Sequence, residues 1–226
     1  YLEKILATFP DENFKDYDHN LKNETEVKLA INSPEKIPDK INSFIEYLNS
    51  YSFLNFLQNL TGIKEKLIPD PYLFGGGLHQ IKSGGYLKIH ADFNKHSKTN
   101  LDRRLNVLIY LNKRWNKDWG GEFEMWTKDL KESVKKISPQ FNRMVIFSTT
   151  SQSFHGHPSP LKTPNGISRK SIAMYYYSNG RPSHERKLGL HSTIFRKRPE
   201  ANEPDGNIEF KKLLGQLYLR KKNKIN

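Results

Sequence analysis

Cysteine is missing altogether from these 226 residues. That excludes disulfides, thiolate zinc sites, iron–sulfur clusters and thiol nucleophiles, so any metal must be held by histidine and carboxylate. Long apolar runs are missing too: nothing approaches the roughly 18 residues of a membrane helix, and no charged-then-apolar leader opens the chain. A soluble, cytoplasmic protein with no membrane partner is the expectation. Arginine is scarce, 10 against 27 lysines, and none precedes Arg103. The net charge of +13 invites a nucleic-acid reading through counterion release, yet base readout favours bidentate arginine. Lysine and asparagine are spread along the whole chain, so we read the excess as a solvated lysine-rich surface and disfavour nucleic acid as a partner. The exceptions are Arg196, Lys197 and Arg198, then Arg220, Lys221, Lys222 and Lys224. Tyr1 in place of Met suggests a fragment or processed product.

What the chain does have is aromatic residues. Thirteen Phe, eleven Tyr and three Trp, in a chain only 35% hydrophobic with a mean hydropathy of −0.77, point to a core built largely of rings. The length suits one domain: residues 1–70 as a strand and helical support, 71–180 as a β-barrel core, and 181–226 as an extension with a basic helix. Residues before Pro38 read as an initial strand and loops. From Asp39 to Leu60 the apolar positions Ile41, Phe44, Ile45, Leu48, Phe53, Leu54, Phe56, Leu57 and Leu60 recur at three and four, which predicts helix, with Asn49–Ser52 as an interruption and Gly62 as a stop. After Pro71 short alternating runs predict strands near Leu73–Lys82, Tyr86–Ala91, Arg104–Asn112, Glu122–Trp126, Arg143–Ser148, Phe154–His157 and Arg169–Ser178. Leu105, Val107, Ile109 and Leu111 should share a face, as should Met144 and Ile146, and Ile172, Met174 and Tyr176. Seven strands without intervening helices mean a sandwich or barrel. A last amphipathic helix is expected at Phe210, Leu213, Leu214 and Leu217.

His90 and Asp92 lie two apart in the second of these runs, and such residues of an extended strand point the same way. Alone the pair is weak, since eight His and ten Asp make a chance His-x-Asp common. The segment Phe147–Pro158 adds His155 and His157 after a β-like run, in a polar loop that a core does not need. Two histidines and one carboxylate can form a facial triad on Fe(II), with one face of the octahedron left for substrate and oxygen.

The stretch from Gly84 to Asn179 resembles the 2-oxoglutarate- and Fe(II)-dependent dioxygenases, in particular the prolyl 4-hydroxylase-like branch. Gly85-Tyr86-Leu87-Lys88-Ile89-His90-Ala91-Asp92 is similar to the first metal motif, Tyr110–Trp115 to the strand after it, Gly120-Gly121-Glu122 to a Gly-Gly turn, and Phe141–Phe147 to the run before the distal histidine. The resemblance implies a mainly β fold with flanking helices, a double-stranded β-helix (jelly-roll, cupin-like) barrel. It implies His155 as the third ligand beside His90 and Asp92, with His157 standing where Val is usual. It also implies Arg169 as the anchor of the 2-oxoglutarate carboxylate, Tyr110 as its hydroxyl partner and Ser171 on the same strand face. Tyr86, His79 and Gln80 are candidates to line that pocket, Asn106 to point into the barrel, and Trp126 to support its far wall.

By the same resemblance the expected activity is oxygenation of an unactivated C–H bond, with 2-oxoglutarate and O2 converted to succinate and CO2, and with ascorbate as an accessory. Asp92 fills the place that halogenating relatives leave open for chloride, which favours hydroxylation. A prolyl substrate, in a peptide or a small molecule, is the first expectation. A sugar or surface-polysaccharide precursor is the alternative, and a nucleic-acid demethylase is less favoured because no second arginine follows Arg169 on its strand. The polar loop Asn94–Asp102 is expected to close over substrate, with Lys95, Lys98, Arg103 and Arg104 drawing an acidic partner. His191-Ser192-Thr193 is expected either to pack beneath the barrel or to cap its mouth.

Overall fold

The computed structural model describes residues 1–11, 13–185 and 189–198; the expected helix around Phe210–Leu217 and the basic cluster from Arg220 lie outside them. The chain opens with a short helix, α1 (Leu2–Ala7), where loops were expected. Six residues are too few to hold a helix by propensity, and α1 forms because Ile5 docks into the core. The long helical run is two helices, α2 (Asp39–Leu48) and α3 (Tyr51–Thr61). Ser50 divides them: its backbone is extended and its Oγ accepts from the Phe53 N–H, which starts a new helix. Gly62, at φ 69°, ends it.

The strands are β1 (His19–Lys22), β2 (Glu26–Ile31), β3 (Ile68–Pro69), β4 (Gly77–Ile81), β5 (Tyr86–Ala91), β6 (Asp102–Tyr110), β7 (Phe123–Trp126), β8 (Ser133–Ile137), β9 (Arg143–Ser148), β10 (His155–His157), β11 (Arg169–Ser178) and β12 (Ile194–Phe195). Their ladders are antiparallel and form one sheet in the order β8-β7-β10-β5-β2-β4-β11-β6-β9, with β1 on β2, β12 on β5 and β3 on β11. The sheet curls until its two ends meet: the rings of Phe123 on β7 and Phe147 on β9 are 5.0 Å apart. This is the mainly β, double-stranded β-helix class that was expected. The barrel is not confined to residues 71–180, however. β2 lies at its centre, bonded to both β4 and β5, and β12 joins from the C-terminal side. Both are short and unremarkable in sequence, and it is the free edges of β4 and β5 that recruit them.

α2 and α3 cover the outer face of the sheet. Ile41, Phe44, Ile45, Leu48, Phe53, Leu54 and Leu57 pack there with Leu105, Val107, Ile109, Leu111, Ile172, Met174 and Tyr176, as the alternation requires. The Tyr176 hydroxyl donates to the Leu48 carbonyl at the end of α2, so even this ring meets its polar demand in the core. Met144 departs from the pattern and is exposed, whereas Ile146 on the same face packs against the core.

Two irregularities of register decide which side chains reach the barrel interior. Between β11 and β6 the pairing passes from Tyr176↔Leu105 to Tyr177↔Arg103, so Arg104 is an extra residue, a bulge that turns Arg103 onto the inner face. Between β10 and β5 it passes from His155↔His90 to His157↔Leu87, two steps against three. Leu87 therefore faces inward with His90, and Tyr86 faces out.

Candidate active site

The inner face encloses a cavity of about 330 Å³. At one end stand His90, Asp92 and His155, all buried, with one ligand atom from each lying within 4.8 Å of the others. His90 Nε2 is 3.6 Å from Asp92 Oδ1, and His155 Nε2 is 3.4 Å from Asp92 Oδ2. β5 and β10 bring the histidines opposite each other, and they come that close because Gly156 sits between His155 and His157. A Cβ there would lie 2.7 Å from the Leu87 carbonyl oxygen and 2.8 Å from that of Lys88.

The tautomers follow from the neighbours. His90 Nδ1 lies 2.8 Å from the Lys88 carbonyl and His155 Nδ1 2.9 Å from the Ser153 carbonyl. A carbonyl only accepts, so each Nδ1 carries the proton and each Nε2 turns a lone pair toward Asp92. Burial, then the neighbouring His90, lowers the His155 pKa to about 4, so this ring stays neutral. Burial alone would raise the pKa of Asp92, but the charge of Arg103 holds it well below the usual carboxylate range. Two imidazole nitrogens and one carboxylate, free of thiolate, suit Fe(II).

Asp92 is fixed from behind. Asn106 Nδ2 donates to Oδ2 at 2.8 Å, and the Arg103 guanidinium stands 3.3 Å from the same oxygen while donating twice to Asn106 Oδ1. The guanidinium is also stacked over Tyr175, 3.5 Å from the ring centroid. Asn106 thus points into the barrel, as expected, but toward the carboxylate. Arg103 and Arg104 do not serve an outside acidic partner: Arg103 is fully buried, and Arg104 is buried against Glu65 and Glu185. Sequence reading missed Arg103 because strict alternation places it with Leu105 on the outer face.

At the other end of the cavity Arg169 is buried at 5% exposure. Its Nε donates to the Gly121 carbonyl at 2.8 Å and its NH2 to the Tyr110 hydroxyl at 3.0 Å. Among the described residues no carboxylate pairs with it, so a buried cation faces the cavity uncompensated. Burial raises the Tyr110 pKa against the pull of Arg169, and the phenol keeps its proton. Its oxygen accepts from Arg169, which leaves that proton available as a donor beside the guanidinium. Ser171 and His79 line the same wall.

Other expected residues are placed elsewhere. Tyr86 stands outside the cavity, its hydroxyl donating to the Asn23 carbonyl at 2.9 Å. Gln80 turns to the opposite side of β4 and donates to Ser168 Oγ at 2.6 Å. Trp126, expected at the far wall, does not line the cavity and packs instead with Ile89, Ala91 and Phe154. The loop Asn94–Asp102 is not a free lid. Buried His96 accepts from the N–H groups of Lys98 and Thr99 and is packed against Phe74 and Tyr177, while Lys95 pairs with Asp102. The cavity mouth is instead bordered by Ser192, Thr193 and Phe195, carried by β12, with the Phe195 ring 5.4 Å from that of His90.

A curled antiparallel barrel thus carries a buried His/Asp/His cluster and a buried arginine on one cavity, with the nitrogen and oxygen donors that suit a non-haem iron ion. Residues 76–177, a little under half of the chain, match the family profile described as the 2OG-Fe(II) oxygenase superfamily. The chain is similar to prolyl 3-hydroxylase OGFOD1 of Mus musculus, 32% identical over 79 residues, which are 33% of this chain and only 14% of that protein. Among solved structures it is similar to a prolyl hydroxylase from Trichoplax adhaerens in complex with a hypoxia inducible factor peptide (TM-score 0.49, 20% identity, 84% of this chain and 79% of that one). A Pseudomonas putida prolyl-4-hydroxylase gives a TM-score of 0.46 at 17% identity, over 72% and 78% of the two chains. Among the described residues no helix is long and apolar enough to cross a membrane.

Proposed function

We propose that this chain hydroxylates a prolyl residue of a peptide or protein, with His90, Asp92 and His155 holding Fe(II) and Arg169 with Tyr110 holding the distal carboxylate of 2-oxoglutarate. The observation that carries the reading is the pairing of two ends in one cavity: three converging ligand atoms at one, and an uncompensated buried cation with a free phenol proton at the other. When bound, iron with its co-substrate and O2 supplies the oxidising chemistry, in which R–H, 2-oxoglutarate and O2 become R–OH, succinate and CO2.

The protein's own residues do the rest. Lys88 and Ser153 carbonyls orient the two imidazoles, Asn106 and Arg103 keep Asp92 ionised and aimed, and Arg169 offers a planar donor pair to a carboxylate. Water is kept out by the rings around the triad: Phe147 and Phe123 lie 4.6 and 5.5 Å from the His155 ring, and Phe195 covers His90. This apolar wall also supports a prolyl ring over a sugar, whose hydroxyls would be left without partners there. The similarity to a prolyl 3-hydroxylase supports the same substrate class.

Anaerobic protein given Fe(II) and 2-oxoglutarate should develop a weak visible charge-transfer band, and its absence in the wild type overturns the reading. Succinate release should then rise with proline-containing peptides, and not with free amino acids, sugars or methylated oligonucleotides. Stimulation by one of the latter alone would reassign the substrate.

A further inference from the structure

His157 is a histidine of the cavity wall that the reading above leaves without a task. It is buried at 4% exposure and lines the same cavity as Arg169, His79 and the triad. Neither ring nitrogen has a hydrogen-bond partner. The contrast with its neighbours is sharp, since His90, His155 and His191 each place Nδ1 against a carbonyl. An imidazole withdrawn from water with both nitrogens unmet is costly unless something bound supplies the partner. Its surroundings select the sign of that partner. Apart from burial, the charges that act on this ring come from Arg169, Lys28 and His90, and no carboxylate is among them. Lys28 lines the cavity and is itself paired with Glu26 at 2.9 Å.

We propose that His157 is a positioning residue that donates a hydrogen bond to the distal carboxylate of 2-oxoglutarate, beside Arg169 and Tyr110. The inference rests on the co-substrate site proposed above and adds a third donor to it. In either protonation state an imidazole offers at least one N–H, so the role does not depend on its titration. β10 makes the placement possible: the i, i+2 alternation of an extended strand points both His155 and His157 into the barrel, one at each end of the same short strand.

The test uses Zn(II)-loaded full chain, which is redox-silent, and titrates two ligands by calorimetry. One is 2-oxoglutarate. The other is 2-oxopentanoate, the same 2-oxo acid with a methyl in place of the distal carboxylate. His157→Phe should weaken 2-oxoglutarate about tenfold, the scale of one hydrogen bond to a charged group, and leave 2-oxopentanoate unchanged. His157→Gln, which keeps an N–H, should recover most of the affinity. In wild-type protein labelled with 15N-histidine, a His157 ring N–H should move downfield on adding 2-oxoglutarate and stay in place with 2-oxopentanoate; this readout needs no variant to fold. Equal binding by His157→Phe, equal loss of both ligands, or loss of Zn(II) by that variant would each overturn the inference. Wild-type protein that binds Zn(II) but not 2-oxoglutarate would overturn the co-substrate site itself.

Discussion

Strands β6 and β11 put hydrocarbon on one side and charge on the other, with the thickness of a single sheet between them. Leu105, Val107, Ile109, Ile172 and Met174 face the helices, and Arg103, Asn106, Arg169 and Ser171 face the cavity. The outer face is satisfied by contact, and any apolar side chain of suitable volume could serve there. On the inner face Asp92, Asn106, His90 and His155 have named partners, whereas both nitrogens of His157, one of Arg103 and the Tyr177 hydroxyl have none among the described residues, and Arg169 has no carboxylate there. Stability and function are thus written on opposite sides of the same residues.

Asp92→Ala should break that division most severely. It removes a metal ligand and leaves Arg103 buried without its counterion, so turnover should fall by at least about 10²-fold and stability by about 3–5 kcal/mol, read by succinate assay and urea unfolding. Stability unaltered in this variant would show that Arg103 does not depend on Asp92. On the outer face, Leu105→Ala should cost about 2–5 kcal/mol in the same unfolding measurement, while the protein that remains folded binds 2-oxoglutarate as before.

Arg169→Gln is the inverse of Leu105→Ala. It should weaken 2-oxoglutarate by about 10²-fold in calorimetry and leave the urea midpoint unchanged or raised, because a lone buried cation is lost. Gly156→Ala joins the two faces: its methyl meets the β5 carbonyls, so about 1–3 kcal/mol of stability and part of the metal affinity should go together.

The smallest effect lies away from both faces. Asp18 accepts from the Asn32 and Ser33 N–H groups and pairs with Lys36. Burial works against ionisation there, yet these bonds outweigh it and lower the pKa to about 2. A folded pKa below the unfolded value contributes stability above pH about 4 that is lost as pH falls toward 2. Asp18→Asn should flatten the acid branch of stability against pH, and an unchanged branch would assign it to other carboxylates.

How far the sequence could be read varied with the kind of signal. Alternation in β6 and β11, and the three-and-four spacing of α2 and α3, recorded the outer face faithfully, because burial against hydrocarbon imposes a period on the chain. The metal cluster was legible through an i, i+2 pair on a regular strand. Tyr86 was misplaced and Arg103 given the wrong surroundings for one reason: a bulge adds a residue, reverses parity beyond it, and leaves no mark in composition. The Asn94–Asp102 loop looked like a lid since its polarity was visible and its anchor, His96, was not.

By itself the sequence determined what the site could be made of. A chain without cysteine, with His90, Asp92 and His155 near β-like runs and Arg169 opening a later one, confines the chemistry to nitrogen and oxygen ligation with one cation for an acid. Only the tertiary structure decided which side chains share the cavity. Register is fixed by hydrogen bonds between strands distant in sequence, and two irregular steps in that register turned Arg103 and Leu87 inward and Tyr86 out.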